Sequence, residues 1–202
     1  MARAREAGLW NSDDRTVWRA ALDRYDDVIA SYGAPKLVEL DRWYRHELPG
    51  LIAARSPRMI DELDLARIVE WKMRRGVFRP RNLALARQNS AADVVAASTA
   101  AFAATGNFVK AVGAITGLRG IGVATASAVL AVVEVDRFPF LDDVVTAQVP
   151  GLTAEDYGLR AYGLYAAALR ERATEIGSDW TATDIERALF AFIGGKVGLA
   201  PR

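Results

Sequence analysis

Leu118-Arg119-Gly120-Ile121-Gly122-Val123-Ala124-Thr125-Ala126 is the stretch on which the reading of this chain turns. Two glycines bracket one aliphatic residue, and a helix-forming run follows at once. Gly120 and Gly122 suit the positive-φ or crowded conformations of a tight hairpin, and Ile121 is placed to plug the turn into a core. The helix that opens next starts with free N–H groups. Pointing out of a turn with little side-chain cover, those groups form a seat for one phosphate of a nucleic-acid backbone.

Working outward, the flanks read as helix. Upstream, Asn107 follows a Thr105-Gly106 turn, and Phe108, Ala111, Val112 and Ile115 keep the i, i+3, i+4, i+7 spacing of a buried helical face. Downstream, Ala124 to Val133 is mostly Ala and Val with Leu130, a helix buried on most sides. Phe138-Pro139-Phe140-Leu141-Asp142-Asp143 then ends in two adjacent carboxylates.

The rest of the chain carries helical signals too. Ser12 with Asp13 and Asp14 predicts a helix running to Tyr32, with Trp18, Leu22, Tyr25 and Ile29 on one face. A second is expected from Pro35 to about Leu48, broken by Pro49-Gly50. A third starts near Ser56-Pro57 and runs from about Met59 to Gly76, and Ser90-Ala91-Ala92-Asp93 opens a fourth that reaches about Ala104. Thr153 with Glu155 and Asp156 is read as the start of a long helix to Ile176, and Thr183-Asp184 as the start of the last, which stops at Gly194-Gly195. The fold class is therefore all-α. With no long-period repeat and no low-complexity linker, residues 1–202 are read as a single helical domain, with a hairpin core at about 107–147 and a flexible N-terminal arm over residues 1–11.

Composition limits the chemistry. The chain has 202 residues and no cysteine, which excludes disulfides, thiolate zinc sites and cysteine-held clusters, and its one histidine, His46, cannot build a histidine metal cluster. His46 and Trp43 are read as packing residues. No signal-peptide pattern and no membrane-spanning apolar run is seen, so the expected location is cytoplasmic, close to the nucleoid if nucleic acid is the partner. Net charge is +1, but unevenly spread. Residues 51–90 hold nine Lys and Arg against four Asp and Glu, whereas residues 153–187 hold four against seven. Lys72, Arg74, Arg75, Arg79 and Arg81 place five cations within ten residues, around an irregular elbow at 77–81. Such a group is either a solvated helix end or a phosphate-contacting patch, with Trp71 or Phe78 close enough to stack on a base. Tyr157, Tyr162 and Tyr165 read as core or groove-lining residues.

Taken together, a short helix, Leu118-x-Gly120-Ile121-Gly122-x-x-Thr125-Ala126, an apolar helix and an aspartate after a Phe/Pro-rich turn resemble the helix-hairpin-helix superfamily of DNA glycosylases. The resemblance covers roughly residues 107–147. It implies that Arg119 through Thr125 (Arg119, Gly120, Ile121, Gly122, Val123, Ala124, Thr125) hold a phosphate of double-stranded DNA, that Lys110 adds to this, and that an aspartate stabilises the cationic sugar left as a damaged base departs. It also implies a monofunctional enzyme, because Ala124 stands where the strand-nicking branch has its lysine. Arg119 departs from the family's usual proline. No cofactor and no protein partner is expected, although the hairpin carbonyls leave room for a monovalent cation. An Asp-x-x-aliphatic reading selects Asp142, the alkylation-repair branch selects Asp143, and either one is also a candidate helix cap. Two other readings stay open: a non-catalytic DNA-binding module, and a helical interaction domain.

Overall fold

Asp14, rather than Ser12, starts the first helix, its carboxylate accepting the Thr16 N–H at 2.9 Å. The computed structural model describes residues 8–196, and among these every regular element is helical. Instead of running unbroken to Tyr32, the first segment divides at Arg24 into α1 (Arg15–Asp23) and α2 (Tyr25–Ser31). The bend lets each half aim an aromatic inward: Trp18 meets Trp180 edge to face, and the Tyr25 hydroxyl donates to buried Asp41 at 3.0 Å.

The expected break at Pro49-Gly50 does not occur. From α3 (Pro35–Arg42) the chain passes through one π turn, Trp43–Glu47, into α4 (Leu48–Ala53). Within that turn the Leu48 N–H donates to the Trp43 carbonyl, five residues back. The widened turn absorbs a proline that has no N–H of its own to give.

Central to the fold is α5 (Glu62–Arg75), which packs on α3, on α6 (Pro80–Ala86), on α7 (Ala91–Ala103) and on α9 (Val123–Ala131). It begins later than the Ser56-Pro57 signal suggests, because Asp61 and Asp64 form a reciprocal capping box that fixes the first turn. Ser90 and Asn107 cap α7 and α8 (Phe108–Thr116) as their sequence signals indicate. After the short α10 (Asp143–Thr146), α11 (Leu159–Ile176) starts six residues beyond Thr153. The Thr153 N–H and hydroxyl both bond the Asp156 carboxylate, so this helix-start pattern closes a local turn instead. A Thr181–Asp184 capping box opens α12 (Ala182–Phe192), which packs on α1, α2, α10 and α11.

Large aromatic side chains fill the interior, among them Trp18, Trp43, Trp71, Phe138, Tyr162, Tyr165 and Phe190. Burying each contributes about 1.5–3 kcal/mol or more of apolar transfer energy. The expected free arm is not free over its last residues. Leu9 is buried, and the Arg172 guanidinium donates to the carbonyls of Trp10 at 2.6 Å and Ser12 at 2.9 Å. Residues 1–7 of that arm lie outside the described residues. Among the described residues no helix is long and apolar enough to cross a membrane.

Candidate nucleic-acid interface and adjoining cleft

The α8–α9 turn is held by a residue that the sequence does not advertise. Asn89, buried, accepts the Arg119 N–H at 2.8 Å and donates to the Arg119 carbonyl at 3.0 Å and the Ala86 carbonyl at 2.8 Å. Ile121 enters the core, with its N–H bonded to the Leu118 carbonyl. The two glycines do different work. Gly120 has φ +74° and lies so close to α6 that a Cβ would sit 2.6 Å from the Leu85 Cβ. By contrast, Gly122 has an ordinary φ of −95° and open space where a Cβ would be. No side chain caps α9, and the N–H groups of Val123 and Ala124 have no partner among the described residues.

The segment after α9 is fixed from two sides. Tyr162 and Tyr165 of α11 donate their hydroxyls to the Pro139 and Phe140 carbonyls at 3.2 and 2.8 Å, and the Leu141 N–H donates to the Ser127 hydroxyl of α9 at 2.9 Å. Those bonds deliver the two aspartates to the end of the segment in different environments. Asp142 is buried, caps α10 by accepting the Val144 N–H at 3.0 Å, and lies 3.8 Å from both the Arg75 Nε and the Lys196 Nζ. Asp143 keeps 30% of its side chain exposed, faces a cleft and pairs with Lys196. Burial raises the Asp142 carboxyl above its ordinary range, even with Arg75 and Lys196 opposing it. Burial pushes Asp143 the same way, but the Lys196 ammonium bonded to it outweighs this and holds it below the usual range. One doublet thus divides into a buried capping carboxyl and a cleft-facing, ionised one.

Lys196 was not among the sequence candidates. It reaches the cleft because α12 ends in two bonds, Gly194 N–H to Ala191 and Gly195 N–H to Phe190, at two glycines of positive φ. The Lys196 N–H then donates to the Tyr32 hydroxyl at 2.7 Å, and that hydroxyl donates to the Arg75 carbonyl at 3.0 Å. Gly76 leaves room for the ammonium, since a Cβ there would lie 3.1 Å from Lys196 Nζ. A glycine pair followed by lysine carries no periodic or spacing signal.

The cleft, about 300 Å³, is bounded by the α8–α9 turn at Gly120 to Thr125, by Asp142 and Asp143, and by Lys72, Arg79 and Lys196, with Tyr157 at its rim. Two of the five elbow cations, Lys72 and Arg79, therefore line it, and Arg81 is exposed nearby in the first turn of α6. Arg74 is taken up by Glu70 at 2.8 Å with its guanidinium over Phe78, so Phe78 is covered on that face. Arg75 is not at the surface: it is buried, paired with Glu186 and surrounded by Tyr25, Trp71, Phe140 and Phe190. Trp71 is sealed in the core, stacked on Tyr44 at 3.8 Å and donating to Asp41 at 2.9 Å, away from the cleft. Lys110 and Arg119 are exposed on the flank of the turn, Trp43 is core, and His46 is exposed. Among the described residues no group of acidic or histidine side chains is placed to hold a metal ion. No family model, curated protein or solved structure matches this chain.

Proposed function

We propose that the protein binds double-stranded DNA and hydrolyses the N-glycosidic bond of a damaged base, with Asp143 as the working carboxylate. The observation that carries this reading is one of placement. An ionised carboxylate faces an open cleft that also holds the unpartnered N–H groups of α9 and the side chains of Lys72 and Arg79. Breaking the bond from C1′ to the base builds positive charge on the sugar, and a fixed anion beside it lowers that barrier. The α9 amides and Arg119 would take one backbone phosphate and the elbow cations another, keeping the duplex bent while one nucleotide leaves the stack. A water adds at C1′, the base departs with the bonding electron pair, and no lysine at position 124 is there to hold the sugar.

The test is release of free base from duplexes carrying a panel of lesions. Asp143→Asn is expected to lose release while keeping duplex affinity, and unchanged release would sink the reading. One observation favours a second reading, in which the turn grips DNA without chemistry: Asp143 pairs with Lys196, and Asp142 caps α10. Under that reading no lesion is processed, and Asp143→Asn changes only stability.

A further inference from the structure

The charges in the cleft select the kind of base that can enter it. Asp142 is committed to Arg75, Lys196 and its own helix start, and Asp143 to Lys196. Lys72 and Arg79 have no ion-pair partner among the described residues, and with three cations (Lys72, Arg79, Lys196) against two carboxylates (Asp142, Asp143) the lining is one charge positive. Trp71 and Tyr44 are buried outside the cleft, Phe140 contributes to its wall but is buried, and Tyr157, half exposed beside Asp143, is the one open aromatic face among the described lining residues. A pocket that accepts a positively charged ring offers it an aromatic face and keeps other cations away. This one sets Lys72 and Arg79 in its lining instead.

Resting on the base-excision reading, we infer that the cleft takes a neutral base bearing carbonyl or ring-nitrogen acceptors, not a cationic N-alkylated purine, and that Lys72 is the group that hydrogen-bonds the departing base. The chemistry agrees with the recognition. A cationic purine leaves as a neutral molecule and needs no help, whereas a neutral base leaves as an anion and does. As water adds at C1′, the electron pair of the glycosidic bond goes to the base. The base takes a proton from the Lys72 ammonium, and the proton lost by the water passes to the Asp143 carboxylate. Burial and the neighbouring Lys196 lower the Lys72 amine from its ordinary range, which makes its ammonium a better proton donor.

The experiment uses the full chain and one duplex sequence carrying, at a single site, hypoxanthine, uracil, 8-oxoguanine or N7-methylguanine. Each is made with a 2′-fluoroarabino sugar for binding and with the ordinary sugar for release. The neutral bases are expected to bind at least about tenfold tighter than N7-methylguanine, since a like charge brought near an unpaired ammonium at partial burial costs more than 1.4 kcal/mol. Lys72→Met should reduce that preference, Arg79 remaining in the lining, and Lys72→Arg should keep it. Equal or tighter binding of N7-methylguanine overturns the inference, as does a preference untouched in a folded Lys72→Met. Because binding is read on uncleavable sugars, a clear preference with no release of any base supports the recognition and removes the excision reading. Release without preference does the opposite, and failure to bind any of these duplexes removes both.

Discussion

The Asn89 side-chain amide satisfies both backbone groups of Arg119, accepting its N–H at 2.8 Å and donating to its carbonyl at 3.0 Å. A turn thirty residues away in sequence is therefore locked by the turn that follows α6, and its shape does not depend on its own residues alone. Asn89→Ala leaves those two Arg119 groups without their side-chain partners, while the Ala86 carbonyl keeps only the backbone N–H of residue 89. A loss of about 1–3 kcal/mol in urea unfolding is expected, together with weaker duplex affinity. An unaltered unfolding midpoint would show the clamp to be dispensable.

Gly120 and Gly122, alike in sequence, should respond differently to the same change. At Gly120 an alanine meets both a positive φ and the Leu85 side chain, so Gly120→Ala should cost on the order of 1–3 kcal/mol or more of stability. Gly122→Ala has free space and an unstrained backbone, and should stay within about 0.5 kcal/mol of the native chain. Its methyl group would still cover the α9 amides. Duplex affinity should therefore fall in Gly122→Ala with stability intact, and the fall should lessen as salt rises and phosphate contacts weaken for both proteins. Equal affinity at low salt would mean that no phosphate approaches this turn.

How much of this was legible in the sequence depends on the range of the interaction. Asn107, Ser90 and the Ile121 plug act within a few residues of themselves, and pattern alone identifies them. Pro49 shows where a local rule loses: the cost of a missing N–H is met by one π turn, and burial of Trp43, Leu48 and Ile52 keeps the helix going. The elbow cations look equivalent along the chain, but α5 turns Arg75 inward while Lys72 lines the cleft. Asn89 and Lys196 act across 30 and 53 residues, respectively, and nothing near either one signals its partner.

Lys196 sets the ionisation of Asp143. With the ammonium removed in Lys196→Met, the burial that raises this carboxyl loses its strongest opposition, and its titration should move to higher pH. A depressed carboxyl contributes stability above its unfolded value of 3.8 and loses it as the pH falls through the folded value, so the variant should be less resistant to acid. Carboxyl carbon NMR reads the shift directly, and the acid limb of any base-release profile should follow it upward. Lys196→Arg should restore both. An Asp143 titration unmoved in Lys196→Met would mean that the pair does not persist in solution.

Glu186 gives the stability curve a slope of opposite sign. It is buried against Arg75, and burial, helped by the nearby Asp142, lifts its carboxyl from 4.5 to about 7 against the pull of Arg75. Between those two values the unfolded chain has released this proton while the folded chain still holds it. Raising the pH across the window therefore favours the unfolded state, by an amount on the order of 3 kcal/mol when the window is fully crossed. Urea unfolding at pH 5, 6, 7 and 8 should show stability declining through this range and levelling above it. Glu186→Gln, which keeps a hydrogen-bonding partner for Arg75 but cannot titrate, should lose most of that decline, leaving only the smaller slope of the same sign that the raised Asp142 carboxyl supplies. If the variant keeps the native slope, some other group carries it, and the Arg75–Glu186 pair is fully ionised throughout.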